Sequence, residues 1–230
     1  RLTLRGLLLA AVASGVASAH AAPSTAPSTQ APTVAPTRAA SKADAQWRAR
    51  ALKLMRETPL VDGHNDLPWQ VRHRGKNQLK QVDITESTAQ LDPPMHTDLG
   101  RLRAGRVGAQ FWSVYVPASL TPPAAVQATL EQIDLVKRMT RRYSGQLELA
   151  STAEDIARIH KRGKVASLIG MEGGHSIGHS LGVLRQMYAL GARYMTITHS
   201  KTTPWADSAT DAPQHGGLSD FGEAVIREMN

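Results

Sequence analysis

Apolar runs of strand length alternate with helix-spaced segments along this chain, and that alternation limits the folds open to it more than any other feature. Leu60–Gly63, Val107–Val116, Val165–Met171 and Tyr194–Thr198 are read as strands. Val165–Met171 is almost continuously apolar, as expected of a strand covered on both faces. Between them lie helical signals. A helix from about Asp44 carries Trp47, Leu52 and Met55, and Thr121-Pro122 opens one bearing Val126, Leu130 and Ile133. Ser151 and Glu154 form a capping-box pattern for a helix with Ile156 and Ile159 that stops at Gly163. A further helix spans Leu181–Leu190, with Gly191 as its stop, and another begins near Ser219–Phe221. Strands separated by helices require a parallel sheet with right-handed crossovers. The expected class is therefore α/β.

The first residues do not share this pattern. Arg1 and Arg5 precede an apolar stretch, Gly6–Val16, and then Ala17-Ser18-Ala19 and Ala19-His20-Ala21, each a small-x-small cleavage pattern. Residues 1–21 are read as a secretory signal peptide, too short to span a bilayer, which places the protein in the periplasm or outside the cell. Any membrane association would come only through an uncleaved signal. Residues 22–43, rich in Pro, Ser, Thr and Ala, cannot bury enough surface to offset chain entropy and are read as a disordered leader. The folded part is expected over residues 44–230.

Composition narrows the chemistry. With no cysteine there is no disulfide framework and no thiolate, so a metal would be held by His, Asp or Glu. The formal charge of +8 is scattered rather than gathered into a stripe, and nucleic acid is not expected as a partner. No phosphate-binding glycine loop occurs.

Three strand ends carry chemistry. His64 and Asp66, two residues apart after the first strand, would point the same way on an extended backbone and reach one ion. The other reading is a turn in which Asp66 caps a backbone amide. Glu172 follows the buried run Val165–Met171 and needs a positive partner there, or else serves as a cap or ion pair. His199 follows the fourth strand. Parallel strands deliver their C-terminal ends to one rim, so these groups can converge. His175 and His179, four apart, could share a helix face but are read as structural or as supporting the ligands. His73, His96, His160 and His215 are expected to face solvent. The paired glycines Gly173-Gly174 allow close approach of a ligand or a neighbouring segment, or equally serve a simple turn.

Val61-Asp62-Gly63-His64-Asn65-Asp66-Leu67-Pro68-Trp69, Gly105–Ser113, Gly170-Met171-Glu172-Gly173-Gly174-His175-Ser176 and Thr198-His199-Ser200 with Thr203–Asp207 resemble the renal (membrane) dipeptidase family of zinc metallodipeptidases, in the same order, over about Ala49–Asn230. The resemblance implies a (β/α)₈ TIM barrel with a two-zinc site that hydrolyses dipeptides, including those with a D-residue at the carboxyl end. It assigns His64 and Asp66 to the first zinc, Glu172 as a bridge between both, and His199 to substrate binding and the tetrahedral intermediate. Arg106 stands where the family usually has a small residue, generally glycine. The family's remaining zinc-ligating histidines, its substrate-binding arginine and a catalytic aspartate lie on later strands. The chain is accordingly expected to hold about the first half of the barrel and to be inactive alone. A non-catalytic fragment or binding module, or an amidohydrolase acting on another amide or a lactam, are the alternatives, and a homodimer is left open.

Overall fold

The computed structural model describes residues 41–230; the expected signal peptide and all but the last three residues of the expected leader lie outside them. Those three, Ser41–Ala43, do not belong to the leader. They open helix α1 (Lys42–Glu57) through a capping box in which the Ser41 hydroxyl accepts from the Asp44 amide and the Asp44 carboxylate accepts from the Ser41 amide. No residue of α1 is buried, so its apolar stripe does not enter the core and Trp47 stays exposed.

The strands are β1 (Leu60–Asn65), β2 (Val107–Tyr115), β3 (Leu147–Leu149), β4 (Val165–Glu172) and β5 (Ala192–Thr196). The helices after α1 are α2 (Leu67–Gly75), α3 (Leu99–Ala104), α4 (Pro122–Arg142), α5 (Ala153–Lys161), α6 (Leu181–Ala189) and α7 (Asp220–Met229). Every strand pairing is parallel. The α/β class is as expected, and β1, β2, β4 and β5 form part of a barrel wall.

Several boundaries differ from the sequence reading. Strand β3 lacks any signal because three residues cannot display a period; it pairs with Val165–Ser167, while β5 pairs with Ile169–Glu172, so the two share one edge of β4. Strand β5 starts and ends two residues earlier than expected, leaving His199 three residues beyond it. Helix α5 is capped one residue later than the Ser151–Glu154 pattern suggests: the Thr152 hydroxyl accepts from the Asp155 amide, and Asp155 in turn accepts from Ser151. Helices α2 and α3 were not anticipated. Arg106, between α3 and β2, has φ +57, a left-handed conformation that explains why a glycine would suit the position.

The sheet's two faces have different roles. Trp112 and Val114 of β2 and Ile169 and Met171 of β4 join Val71, Ile133, Val136, Met139, Leu184 and Met187 from the covering helices in one buried cluster. The opposite face carries Ala109, Phe111, Ser113 and Tyr115 on β2, in register with Ala166, Leu168, Gly170 and Glu172 on β4. Ile156 and Ile159 of α5 pack on Ala109, Ala166, Leu168 and Phe111, covering the strand beginnings of this face. The strand ends are left open, and the polar residues gather there.

Candidate metal centre

The ladder between β1 and β2 is irregular between Asp62 and Asn65, and side chains bridge the gap. The Gln110 amide donates to the Asp62 carbonyl at 3.3 Å, and the Asn65 amide donates to Gln110 and to the Thr97 hydroxyl. Asn65 Oδ1 also accepts from the Leu67 amide at 3.0 Å, supplying the capping contact at the start of α2.

Asp66 makes no such contact. It occupies the cap position of α2, yet its carboxylate makes no capping hydrogen bond: Pro68, second in the helix, has no N–H to offer, and the Leu67 amide goes to Asn65. The turn-capping alternative is therefore wrong. So is the reason given for the pairing with His64: Asp66 has φ −85 and ψ 19 and is not extended. The two side chains meet because the chain turns from β1 into α2. His64 Nε2 lies 3.3 Å from Asp66 Oδ1 and 3.4 Å from Glu172 Oε2.

Glu172 ends β4 with its side chain 16% exposed. Its Oε2 accepts from the Ser113 hydroxyl at 2.9 Å, and its Oε1 lies 3.4 Å from His199 Nε2. One ligand atom from each of His64, Asp66 and Glu172 falls within 4.8 Å of the others. An imidazole nitrogen and two carboxylate oxygens at this spacing fit a divalent first-row cation. His199 is outside this trio. Its Nδ1 is 3.1 Å from the Ser200 hydroxyl, and its ring meets Tyr115 edge-on at 5.2 Å.

The surrounding phenols feel this charge. Burial, reinforced by the carboxylates of Glu172, Asp66 and Asp62, pushes the Tyr194 hydroxyl up to about 12, so it stays protonated at neutral pH. Burial and the Glu172 and Asp66 charges also raise Tyr115. Sequence reasoning assigned no role to Ser113, Tyr115 or Tyr194. Period-two alternation along β2 and β4 could have placed the first two beside Glu172, but nothing local shows which face is the open one.

The remaining histidines sort differently. His175 lies in a short 3₁₀ turn, Gly174–Ile177, with Nε2 3.1 Å from the Val116 carbonyl, and burial holds its imidazole below the usual value. His179 has φ +60 and stacks on Phe221, so the two share no helix face. His73 and His96 are exposed as expected, but His160 and His215 are half-buried, within reach of the Arg56 and Thr203 carbonyls. The paired glycines admit a neighbour, not a ligand: a Cβ on Gly174 would lie 2.2 Å from the Trp205 ring and 2.4 Å from the Ile197 carbonyl oxygen.

A cleft of about 780 Å³ adjoins the trio, lined by His64, Asp66, Trp69, His73, Pro94 and His96 among others. That volume suits a small-molecule ligand. No helix among the described residues is long and apolar enough to cross a membrane.

Residues 48–230 match the sequence profile of membrane dipeptidase, peptidase family M19. Dipeptidase 3 of Mus musculus is 48% identical over 193 residues, which cover 82% of this chain and 37% of that protein. Dipeptidase 3 of Homo sapiens is 48% identical over 188 residues, 80% of this chain and 37% of its own length. Dipeptidase verJ of Clonostachys rogersoniana is 41% identical over 193 residues, 79% and 48% of the two chains. Among solved structures, a family M19 metallopeptidase, dipeptidase AC, superposes with a TM-score of 0.63 at 25% identity, covering 75% of this chain and 53% of that one. The probable dipeptidase PvdM from Pseudomonas aeruginosa superposes with a TM-score of 0.65 at 22% identity, covering 80% and 47%. The chain thus spans between a third and a half of the length of these curated relatives. By the profile match over most of its length and by relatives of nearly one-half identity, the chain belongs to the membrane dipeptidase family, peptidase family M19.

Proposed function

We propose that the full-length protein hydrolyses dipeptides, including those with a D-residue at the carboxyl end, with zinc as the metal and two ions per site. The observation that carries this reading is the convergence of His64, Asp66 and Glu172, from two distant segments, to within 4.8 Å at the open strand ends. His64 and Asp66 would hold the first ion and Glu172 would bridge both. Bound zinc supplies Lewis acidity and a water of lowered pKa.

The chain's own residues do the rest. Glu172 presents one oxygen toward His64 and the other toward His199, the arrangement a bridging carboxylate requires. Ser113 fixes its rotation by donating to Oε2. His199, bound through Nδ1 to Ser200, directs Nε2 into the site, where it would bind substrate and donate to the oxyanion of the tetrahedral intermediate. Trp69, Tyr115 and His199 make a continuous aromatic wall, with Trp69 and Tyr115 edge-on at 5.0 Å, which would exclude water from one side of the scissile amide.

Export to the periplasm or the extracellular space is part of the same proposal, supported by the basic, apolar and small-residue succession in residues 1–21. The test is to purify the full-length enzyme, count bound metal, and assay L-Ala-L-Ala, L-Ala-D-Ala, an N-acyl amide and a β-lactam before and after chelation. Dipeptide turnover lost on chelation and restored by zinc is expected. Turnover unaffected by chelation would overturn the reading, and activity confined to the amide or lactam would move it to another substrate class.

A further inference from the structure

Tyr194 rises from β5 across the open face of the sheet. Its ring lies over Gly170, where a Cβ would stand 2.1 Å from Tyr194 Cζ, and beside Phe111 at 5.1 Å between centroids. The hydroxyl thereby reaches β1, on the far side of β4 and β2. It donates to the Gly63 carbonyl at 3.1 Å and lies 3.3 Å from His64 Nδ1.

A phenol has one proton. Once that proton is given to Gly63, the oxygen can only accept from His64, which must then carry its hydrogen on Nδ1 and leave the lone pair on Nε2. Nε2 is the nitrogen that faces Asp66 and Glu172. We infer that Tyr194 is a positioning residue for the metal centre: its hydroxyl sets the tautomer and ring rotation of His64 so that Nε2 is offered to the cation.

The inference rests on His64 being a metal ligand. It also gives Gly170 a reason, since any side chain there would displace the ring from its path to β1. Imidazole ligands are commonly oriented by a hydrogen bond at the nitrogen that does not bind the metal, and loss of such a partner weakens metal affinity by roughly 10- to 100-fold. A ring that merely filled the space over Gly170 would be replaced without loss by phenylalanine.

The test uses the full-length enzyme loaded with zinc. Tyr194→Phe should lower zinc affinity by about 10- to 100-fold in competition with a chelator, while its thermal transition in the metal-free form stays cooperative. NMR of ¹⁵N-histidine-labelled wild-type enzyme should show the His64 proton on Nδ1, protected from exchange, and Tyr194→Phe should lose that protection. Unchanged zinc affinity in Tyr194→Phe overturns the inference. So does a wild-type His64 proton on Nε2, whether or not the variant folds. His64→Ala in the same competition separates the two ideas: if it too binds zinc normally, the ligand assignment has failed, whereas normal zinc in Tyr194→Phe alone defeats only the role of Tyr194.

Discussion

The Ser113 hydroxyl, fully buried on β2, donates to Glu172 Oε2 on the neighbouring β4 at 2.9 Å. The two strands are in register with Tyr115 beside Glu172, so Ser113 lies one pleat behind the carboxylate and holds it from below. Removing Glu172 and removing its support should therefore differ in degree. Glu172→Ala is expected to lower activity by several orders of magnitude and to lose bound metal. Ser113→Ala should weaken metal affinity by about 10- to 100-fold. Metal analysis and chelator competition check both, and two zinc ions retained by Glu172→Ala would contradict its bridging role.

His199→Ala should leave metal content intact and lower kcat by roughly 10²- to 10³-fold, the range for loss of one donor to a developing oxyanion. Its Nε2 is near Glu172, but it stands outside the trio of converging ligand atoms. Loss of metal from this variant would refute the assignment.

Asp98, almost fully buried, caps α3. Burial alone would raise its carboxyl, but the Arg101 amide and guanidinium and the Thr88 amide outweigh it and hold the pKa below the usual range. A folded-state value below the unfolded one means that the unfolded chain takes up protons first. The stabilisation is complete above the unfolded value of about 3.9 and is lost as pH falls through the folded value. Asp98→Asn should flatten the fall in Tm below about pH 4, and Asp98→Ala should cost about 2–3 kcal/mol at neutral pH. Thermal unfolding across pH checks both.

Gly222 sits inside α7, where replacing glycine by alanine ordinarily stabilises a helix by up to about 1 kcal/mol. Here a Cβ would stand 2.3 Å from the Trp205 carbonyl oxygen, a backbone atom that also accepts from Ser219. Gly222→Ala should therefore destabilise, by about 1–3 kcal/mol. A raised midpoint in denaturant unfolding would show that α7 docks differently.

Arg106 holds a left-handed conformation at φ +57. Relief of about 1–2 kcal/mol of strain exceeds the roughly 0.5–1 kcal/mol that glycine's added freedom costs. Arg106→Gly should raise stability by about 0.5–1 kcal/mol, measurable in the same denaturant assay.

Much of this architecture is local and so is written in order along the chain. Trp112, Ile169 and Met171 belong to runs whose period marks strands, and Val126 and Ile133 recur at helical spacing; such periods depend only on residues a few places apart. The donor types at the site are legible for the same reason, since a chain without cysteine leaves imidazole and carboxylate to bind a metal. Tertiary structure alone decided that β3 and β5 divide one edge of β4, that Gly174 yields to Trp205, and that Tyr194 crosses Gly170 to reach His64. Each of these is settled by which distant group arrives first at a given donor or void, and a local period carries no record of that competition.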